Sequence, residues 1–91
     1  MVFATLLKIR AGTAKERIAR RAQWQWPQGI QPVAEYWLAT ADPGVILISE
    51  SDSVASIMAA IAAWDDVFDI TVVPAITVEE GLQLFRQMMQ R

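Results

Sequence analysis

The stretch that decides the fold is Gly44–Ile76, GVILISESDSVASIMAAIAAWDDVFDITVVPAI. It begins with a short aliphatic run, Val45–Ser49, and ends with a second apolar run, Phe68–Val73. Between the two runs, apolar side chains recur at helical spacing at Val54, Ile57, Met58, Ile61 and Trp64. The serine- and aspartate-rich residues 51–53 precede this pattern and offer candidate N-caps. The stretch therefore predicts a strand, a helix and a strand in immediate succession.

The N-terminal part of the chain predicts one strand and one helix. Val2–Ile9 is a run of apolar and β-branched residues that is typical of a strand. Thr13 and Glu16 then have the spacing of a capping box, in which the side chain of each residue bonds to the backbone amide of the other. We expect a helix from there to about Trp24, with Ala14, Ile18 and Ala22 on its apolar side.

Another strand and a terminal helix complete the pattern. Val33–Thr40 predicts an extended segment, and the turn at residues 42–44 joins it to the strand at Val45. Pro74 is expected to end the pairing of the fourth strand. Thr77 and Glu80 form a second capping box, and the helix that follows carries Val78, Leu82, Phe85 and Met89 on one side.

The predicted order is β-α-β-β-α-β followed by an additional C-terminal helix. This is the ferredoxin-like order, an α+β fold with a four-stranded antiparallel sheet. No linker, repeat or low-complexity segment divides the sequence, so residues 1–91 form one domain.

The strands look apolar on both faces, although two helices cover only one face of such a sheet. In the third strand, for example, Ile46 and Ile48 alternate with Val45 and Leu47. In addition, 54% of the residues are hydrophobic, and the chain has no cysteine or histidine for a disulfide or a zinc site. We therefore expect the second face to be covered by another copy of the chain, in a homodimer whose sheets form a barrel.

The sequence resembles the dimeric α+β barrel superfamily, and within it a group of small bacterial domains of unknown function. The resemblance rests on Tyr36-Trp37, on residues 48–52, on Trp64 at the end of the helix and on Val72-Val73-Pro74. It implies the fold and a homodimer, and it brings no established activity.

The best candidate site is the pocket that such barrels often keep between sheet and helices. Glu50 is the first candidate for a general acid or base and Glu35 the second, because an apolar strand should raise the pKa of a carboxyl group. The residues expected to line the pocket are Arg10, Trp24, Trp26, Tyr36, Trp37 and Glu50. Alternatively, Glu50 caps the following helix or pairs with Arg10 at the sheet edge.

The tryptophans and the basic helix also have simpler interpretations. Trp37 and Trp64 have core-facing spacings, whereas Trp24 and Trp26 flank a turn and could be exposed at a ligand mouth or a dimer seam. The cations of the first helix are spread around its axis and are more typical of a solvated face than of a nucleic-acid surface. The net charge of −2 likewise argues against a nucleic-acid partner.

Several functional classes are excluded by composition. Without histidine and cysteine there can be no Ser-His-Asp triad, no thiol nucleophile and no histidine-ligated haem. The four glycines are isolated, so no phosphate loop exists, and Asp65, Asp66 and Asp69 are typical of an acidic loop rather than a metal site. We expect no cofactor, no metal and no membrane partner, and a cytoplasmic location, since the sequence shows neither a signal peptide nor a membrane-spanning run.

Three functions are consistent with these observations. The first is a homodimeric module that binds a small apolar molecule or mediates an interaction. The second is a cofactor-free enzyme, similar to the monooxygenases and isomerases built on this barrel, that acts on a small apolar or aromatic substrate. The third is a structural partner that uses the terminal helix, Val78 to Met89, to bind another protein.

Overall fold

Four strands and three helices follow one another in the order predicted from the sequence. The computed structural model describes residues 1–90. The elements are β1 (Val2–Ile9), α1 (Ala14–Ala22), β2 (Ile30–Trp37), β3 (Val45–Ser51), α2 (Val54–Trp64), β4 (Phe68–Ala75) and α3 (Val78–Met89). The α+β class and the additional terminal helix are confirmed.

The strands form one antiparallel sheet with the order β2-β3-β1-β4. The central strand β1 pairs with both β3 and β4, so that Leu6 lies opposite Ile46 on one side and Thr71 on the other. Because alternate side chains of a strand point to opposite faces, this register assigns every strand residue to one of two faces.

Helices α1 and α2 cover one face of the sheet, which we call the covered face. The core lies under these helices and consists of Val45, Val67 and Phe68, with Leu7, Ile9, Trp64 and Ile70 packed against it. Val67 is fully buried in the turn between α2 and β4. Its amide donates to the carbonyl of Trp64 at 3.2 Å and its carbonyl accepts from the amide of Arg10 at 3.1 Å, which ties α2 to the end of β1.

The opposite side of the sheet, the open face, is apolar and is not covered by any helix among residues 1–90. Its central residues are Ala4, Leu6, Ala34, Tyr36, Ile46, Ile48, Thr71 and Val73. Tyr36 is 61% exposed, and Leu6 and Val73 are also exposed. The sequence predicted both faces to be buried, and within a single chain only the covered face is.

The boundaries of three strands differ from the predictions. Strand β2 begins at Ile30 and ends at Trp37, three residues earlier than expected, and an irregularity between Pro32 and Ala34 shifts its register. Strand β3 continues past Ser49 to Ser51. Strand β4 continues through Pro74, which pairs with Phe3. A proline is compatible with this position because β4 is an edge strand, where a missing N–H removes no ladder bond.

The two predicted capping boxes have different outcomes. At α3, the Thr77 side chain accepts from the amide of Glu80 while the Glu80 side chain accepts from the amide of Thr77, as predicted. At α1 the predicted box is wrong, because the Thr13 hydroxyl donates to the carbonyl of Arg10 at 2.7 Å instead. Glu16 pairs with Arg20, and α1 ends at Ala22 rather than near Trp24.

Helix α3 extends away from the sheet. It has no buried residue, and its large apolar side chains, Val78, Leu82, Leu84, Phe85, Met88 and Met89, are all exposed. The molecule is correspondingly elongated, with extents of 54 × 29 × 17 Å. Among residues 1–90, none of the helices combines the length and apolar character needed to cross a bilayer.

Candidate functional site

A cavity of about 100 Å³ lies between the covered face of the sheet and helices α1 and α2. Its lining is predominantly apolar: the strands contribute Leu7, Val45, Leu47, Ile70 and Val72, and α2 contributes Ile57, Ala60 and Ile61. An apolar cavity of roughly 150 Å³ accommodates a benzene molecule. The enclosed space is smaller than this reference, but the cavity is open to solvent on one side, so it is on the scale of one short branched chain or of a single ring that reaches into the opening.

Aromatic rings form the wall of the cavity near the end of α2. Trp24 lies edge-on to Trp64, with ring centroids 5.4 Å apart and planes inclined by 72°. Trp26 meets Trp24 in the same manner at 6.0 Å, and Phe68 lies 5.8 Å from Trp64 on the other side. Edge-to-face contacts of this kind stabilise aromatic clusters beyond their buried area. The turn after α1 thus brings its two tryptophans onto the ring that closes α2.

Three arginines of α1 lie over these rings, which the sequence did not predict. The guanidinium carbon of Arg17 is 5.6 Å from the ring centroid of Phe68, that of Arg20 is 5.2 Å from Trp64, and that of Arg21 is 5.8 Å from Trp26. The prediction of a solvated basic face is wrong for these three residues, which are all half-buried. Guanidinium groups stack on aromatic faces because they are planar and weakly hydrated.

Glu35 is the carboxylate of the cavity. Its Oε1 accepts from Nη2 of Arg21 at 3.0 Å, and its Oε2 accepts from Nε1 of Trp37 at 2.7 Å. Burial raises the pKa of Glu35, but the hydrogen bonds from Arg21 and Trp37 outweigh it, so that the pKa of Glu35 lies below its ordinary value. The expectation of a raised pKa is therefore wrong for Glu35. A carboxylate held in its ionised form is a weak proton acceptor, which does not favour general base catalysis at this position.

Of the residues predicted to line the pocket, the structure brings Trp24, Trp26 and Trp37 together around the cavity, with the second candidate acid Glu35 beside them. Trp64 packs against the core, as predicted. The core prediction for Trp37 is wrong: its ring borders the cavity, but 60% of its surface is exposed.

The other three predicted pocket residues lie outside the cavity. Tyr36 is on the open face. Arg10 pairs with Asp69 at 2.9 Å beyond the end of β1. Glu50 is exposed near the end of β3, in a shallow depression that it shares with Met1 and Gln31.

Both structural roles considered for Glu50 are wrong as well. The N-cap of α2 is Ser53, whose side chain accepts from the amide of Ser56. The partner of Arg10 is Asp69 rather than Glu50.

Sequence reasoning missed four polar residues that line the cavity, Thr5, Ser49, Arg17 and Arg21. Ser49 is only 1% exposed and lies in an otherwise aliphatic strand. A serine in an aliphatic strand could have indicated a polar position in the site, because a buried hydroxyl group needs a hydrogen-bond partner. Arg17 gave no comparable signal, since the sequence places it among other basic residues of a short helix.

The sheet, the helices that cover one face of it and the cavity between them define a small ferredoxin-like α+β domain. The chain belongs to the family described as Domain of unknown function (DUF3303), whose model matches residues 1–89. Comparisons with curated proteins and with solved structures gave no match.

Proposed function

We propose that this domain binds a small, largely apolar molecule in the cavity between its sheet and its helices. The observation that supports the proposal is the combination of an apolar, aromatic wall with a few polar groups inside it. Trp24 and Trp64 belong to the wall, and Glu35 is one of the polar groups. Binding sites for small molecules typically have this composition, in which apolar area supplies affinity and isolated polar groups orient the ligand.

Filling the cavity tests this proposal. Ala60 lines the cavity from α2, and Ala59 is its exposed neighbour on the same helix. The probe is toluene, and its binding is measured by ligand-detected NMR. We expect the wild-type protein and the matched control Ala59→Leu to bind toluene, and Ala60→Leu to lose binding while keeping its near-ultraviolet circular dichroism. Binding that is unchanged in Ala60→Leu would locate toluene elsewhere and overturn the proposal.

We further propose that the open face is covered by the same face of a second copy, in a two-fold dimer of the barrel type. The face is apolar in its centre, where Leu6, Ile46 and Ile48 are neighbours. Strand alternation puts Lys8 at one end of this face and Glu50 at the other. Asp69 lies opposite Lys8 in β4, but its carboxylate is already paired with Arg10. A second copy turned end to end would bring Lys8 of each chain toward Glu50 of the other, so the face is complementary to itself in charge as well as apolar.

Sedimentation velocity over a micromolar concentration range tests the dimer. We expect a mass of two chains, with dissociation only on strong dilution. A single-chain mass throughout that range would contradict the dimer but leave ligand binding unaffected, since the cavity is lined by residues of one chain.

A further inference from the structure

We propose that the ligand of the cavity is a small monocarboxylate with a body of at most one ring or a short branched chain, and that Arg17 binds its carboxylate group. This inference rests on the proposed ligand binding and adds the chemical class of the ligand.

The charges of the cavity lining support an anionic ligand. The ionisable residues in the lining are Arg17, Arg21 and Glu35. Arg21 and Glu35 neutralise each other, since Nη2 of Arg21 lies 3.0 Å from Oε1 of Glu35. Among residues 1–90 no carboxylate lies within ion-pair distance of Arg17. The lining therefore carries one positive charge that the protein does not compensate.

The contacts of the Arg17 side chain hold its guanidinium group in an orientation that can bind a carboxylate. Its Nε donates to the hydroxyl oxygen of Thr13 at 2.9 Å, and its guanidinium carbon lies 5.6 Å from the centroid of the buried Phe68 ring. These contacts use one of the five N–H donors and orient the plane of the group. The donors on Nη1 and Nη2 have no partner among the described residues. Two parallel donors on a planar fork match the two oxygens of a carboxylate.

Partial burial strengthens the preference for an anion over a neutral ligand. Arg17 is half-buried, and a cation that is partly removed from water gains more from an opposite charge than an exposed one does. The lysine two positions earlier on the same helix, Lys15, is exposed and does not line the cavity. Lys15 carries the same charge outside the cavity, so a substitution of Lys15 is the matched control for a substitution of Arg17.

The size and the walls of the cavity limit the rest of the molecule. A volume of about 100 Å³ leaves no room for fused rings. Phe68 forms the wall beside Arg17 and Trp64 packs against Phe68, so a flat ring or a branched aliphatic chain fits beside the carboxylate.

The experiment compares benzoate with its neutral isostere benzamide by isothermal titration calorimetry at pH 7. We expect wild-type protein to bind benzoate about tenfold or more tightly than benzamide, in line with the strength of charge-assisted hydrogen bonds. Arg17→Met should abolish this preference while benzamide binding changes little. Lys15→Met should keep the preference, and Arg17→Lys should keep part of it, since a lysine retains the charge without the fork.

The outcomes separate this inference from the proposal on which it rests. Equal binding of benzoate and benzamide by the wild-type protein overturns the carboxylate assignment and leaves ligand binding in place. A preference that survives in Arg17→Met overturns the role of Arg17. No binding of benzoate, benzamide or toluene overturns the proposed function itself. If Arg17→Met fails to fold, Arg17→Lys decides the role of Arg17, because an undiminished preference in that variant contradicts fork recognition.

Discussion

Glu35 joins the helix layer to the sheet through one carboxylate group. It accepts hydrogen bonds from Arg21 on α1 and from Trp37 on its own strand. Burial raises the pKa of Glu35, but these two donors together lower it below its ordinary value. The folded protein thus binds this proton less tightly than the unfolded chain does, so the ionised group stabilises the fold.

This linkage predicts an acid-sensitive contribution to stability. The contribution is fully present above the unfolded pKa of a glutamate, about 4.3, and is lost as the pH falls through the lower folded pKa. At pH 7, Glu35→Gln should lower the free energy of unfolding by about 1 kcal/mol, because the amide can accept only part of these hydrogen bonds. Below the ordinary glutamate pKa, the gap between wild type and variant should narrow. Urea unfolding at a series of pH values measures both effects.

The matched control for Glu35→Gln is Glu79→Gln, because Glu79 is exposed and makes no side-chain hydrogen bond among the described residues. Its unfolding curve should follow that of the wild-type protein at neutral and acid pH. If Glu35→Gln and the wild-type protein lose the same stability on acidification, the carboxylate does not carry the pH dependence.

At the scale of elements, α1 is attached by charged side chains more than by an apolar stripe. Arg20 donates to the carbonyl of Ala63 at 2.8 Å and to both oxygens of Asp66, at 2.8 and 2.9 Å. The hydrogen bond from Arg20 lowers the pKa of Asp66, and that bond likewise raises the pKa of Arg20. By contrast, Ile18, which the sequence placed on the apolar side, is 54% exposed.

Replacing Arg20 should therefore loosen α1 from the end of α2. In Arg20→Met an apolar side chain replaces the guanidinium group that lies over the Trp64 ring, and the bonds to Ala63 and Asp66 are lost. We expect faster amide hydrogen exchange in α1 and little change in the strands β1 and β3. Lys15→Met is the control on the same helix, since Lys15 is exposed and forms no ion pair among the described residues. Equal exchange in Arg20→Met and in the wild-type protein would show that α1 is held by other contacts.

The sequence predicted the elements with regular apolar spacing well. Helix α2 was predicted over the span of its apolar repeat, Val54 to Trp64, and the structure shows which of the candidate N-caps is used, Ser53. The inward orientation of the α1 arginines was not predictable, because arginine is ordinarily a surface residue. It becomes favourable only when the fold brings Trp26, Trp64 and Phe68 under that helix.

The candidate site was predicted in part for a similar reason. Alternation along β2 is enough to put Glu35 and Trp37 on the same face, and both line the cavity. The same alternation puts Tyr36 and Glu50 on the other face of the sheet. Because the strands are apolar on both faces, the sequence did not show which face the helices cover. Arg17 required knowledge of tertiary contacts, since its neighbours Thr13 and Phe68 are far apart in the sequence.

At the scale of the whole molecule, two apolar surfaces are exposed in the single chain. One is the open face of the sheet, and the other is the apolar side of α3, which contains Phe85 and Met89. Contiguous exposed apolar surfaces of soluble domains commonly mark interaction sites. The two surfaces belong to different elements, so their contributions to self-association can be separated by mutation.

Truncation after Ile76 tests the contribution of α3. Since α3 has no buried residue, its removal should leave the near-ultraviolet circular dichroism of the tryptophan cluster unchanged. We expect the truncated protein to remain dimeric in sedimentation velocity, because the proposed interface is the sheet face. A truncated protein that sediments as a folded monomer would show instead that α3 packs against the partner chain.

A charge in the centre of the open face tests the sheet interface directly. Ile48 pairs with Ala4 and Ala34 on that face, so Ile48→Asp would bury a carboxylate between two sheets without disturbing the core under the helices. We expect a folded monomer by sedimentation velocity and near-ultraviolet circular dichroism. Val54→Asp, which charges an exposed apolar position at the start of α2, should remain dimeric. If Ile48→Asp remains dimeric, the interface lies elsewhere. If it unfolds while Val54→Asp does not, the open face is needed for the fold of the chain, as expected of an obligate dimer whose subunit cannot persist alone.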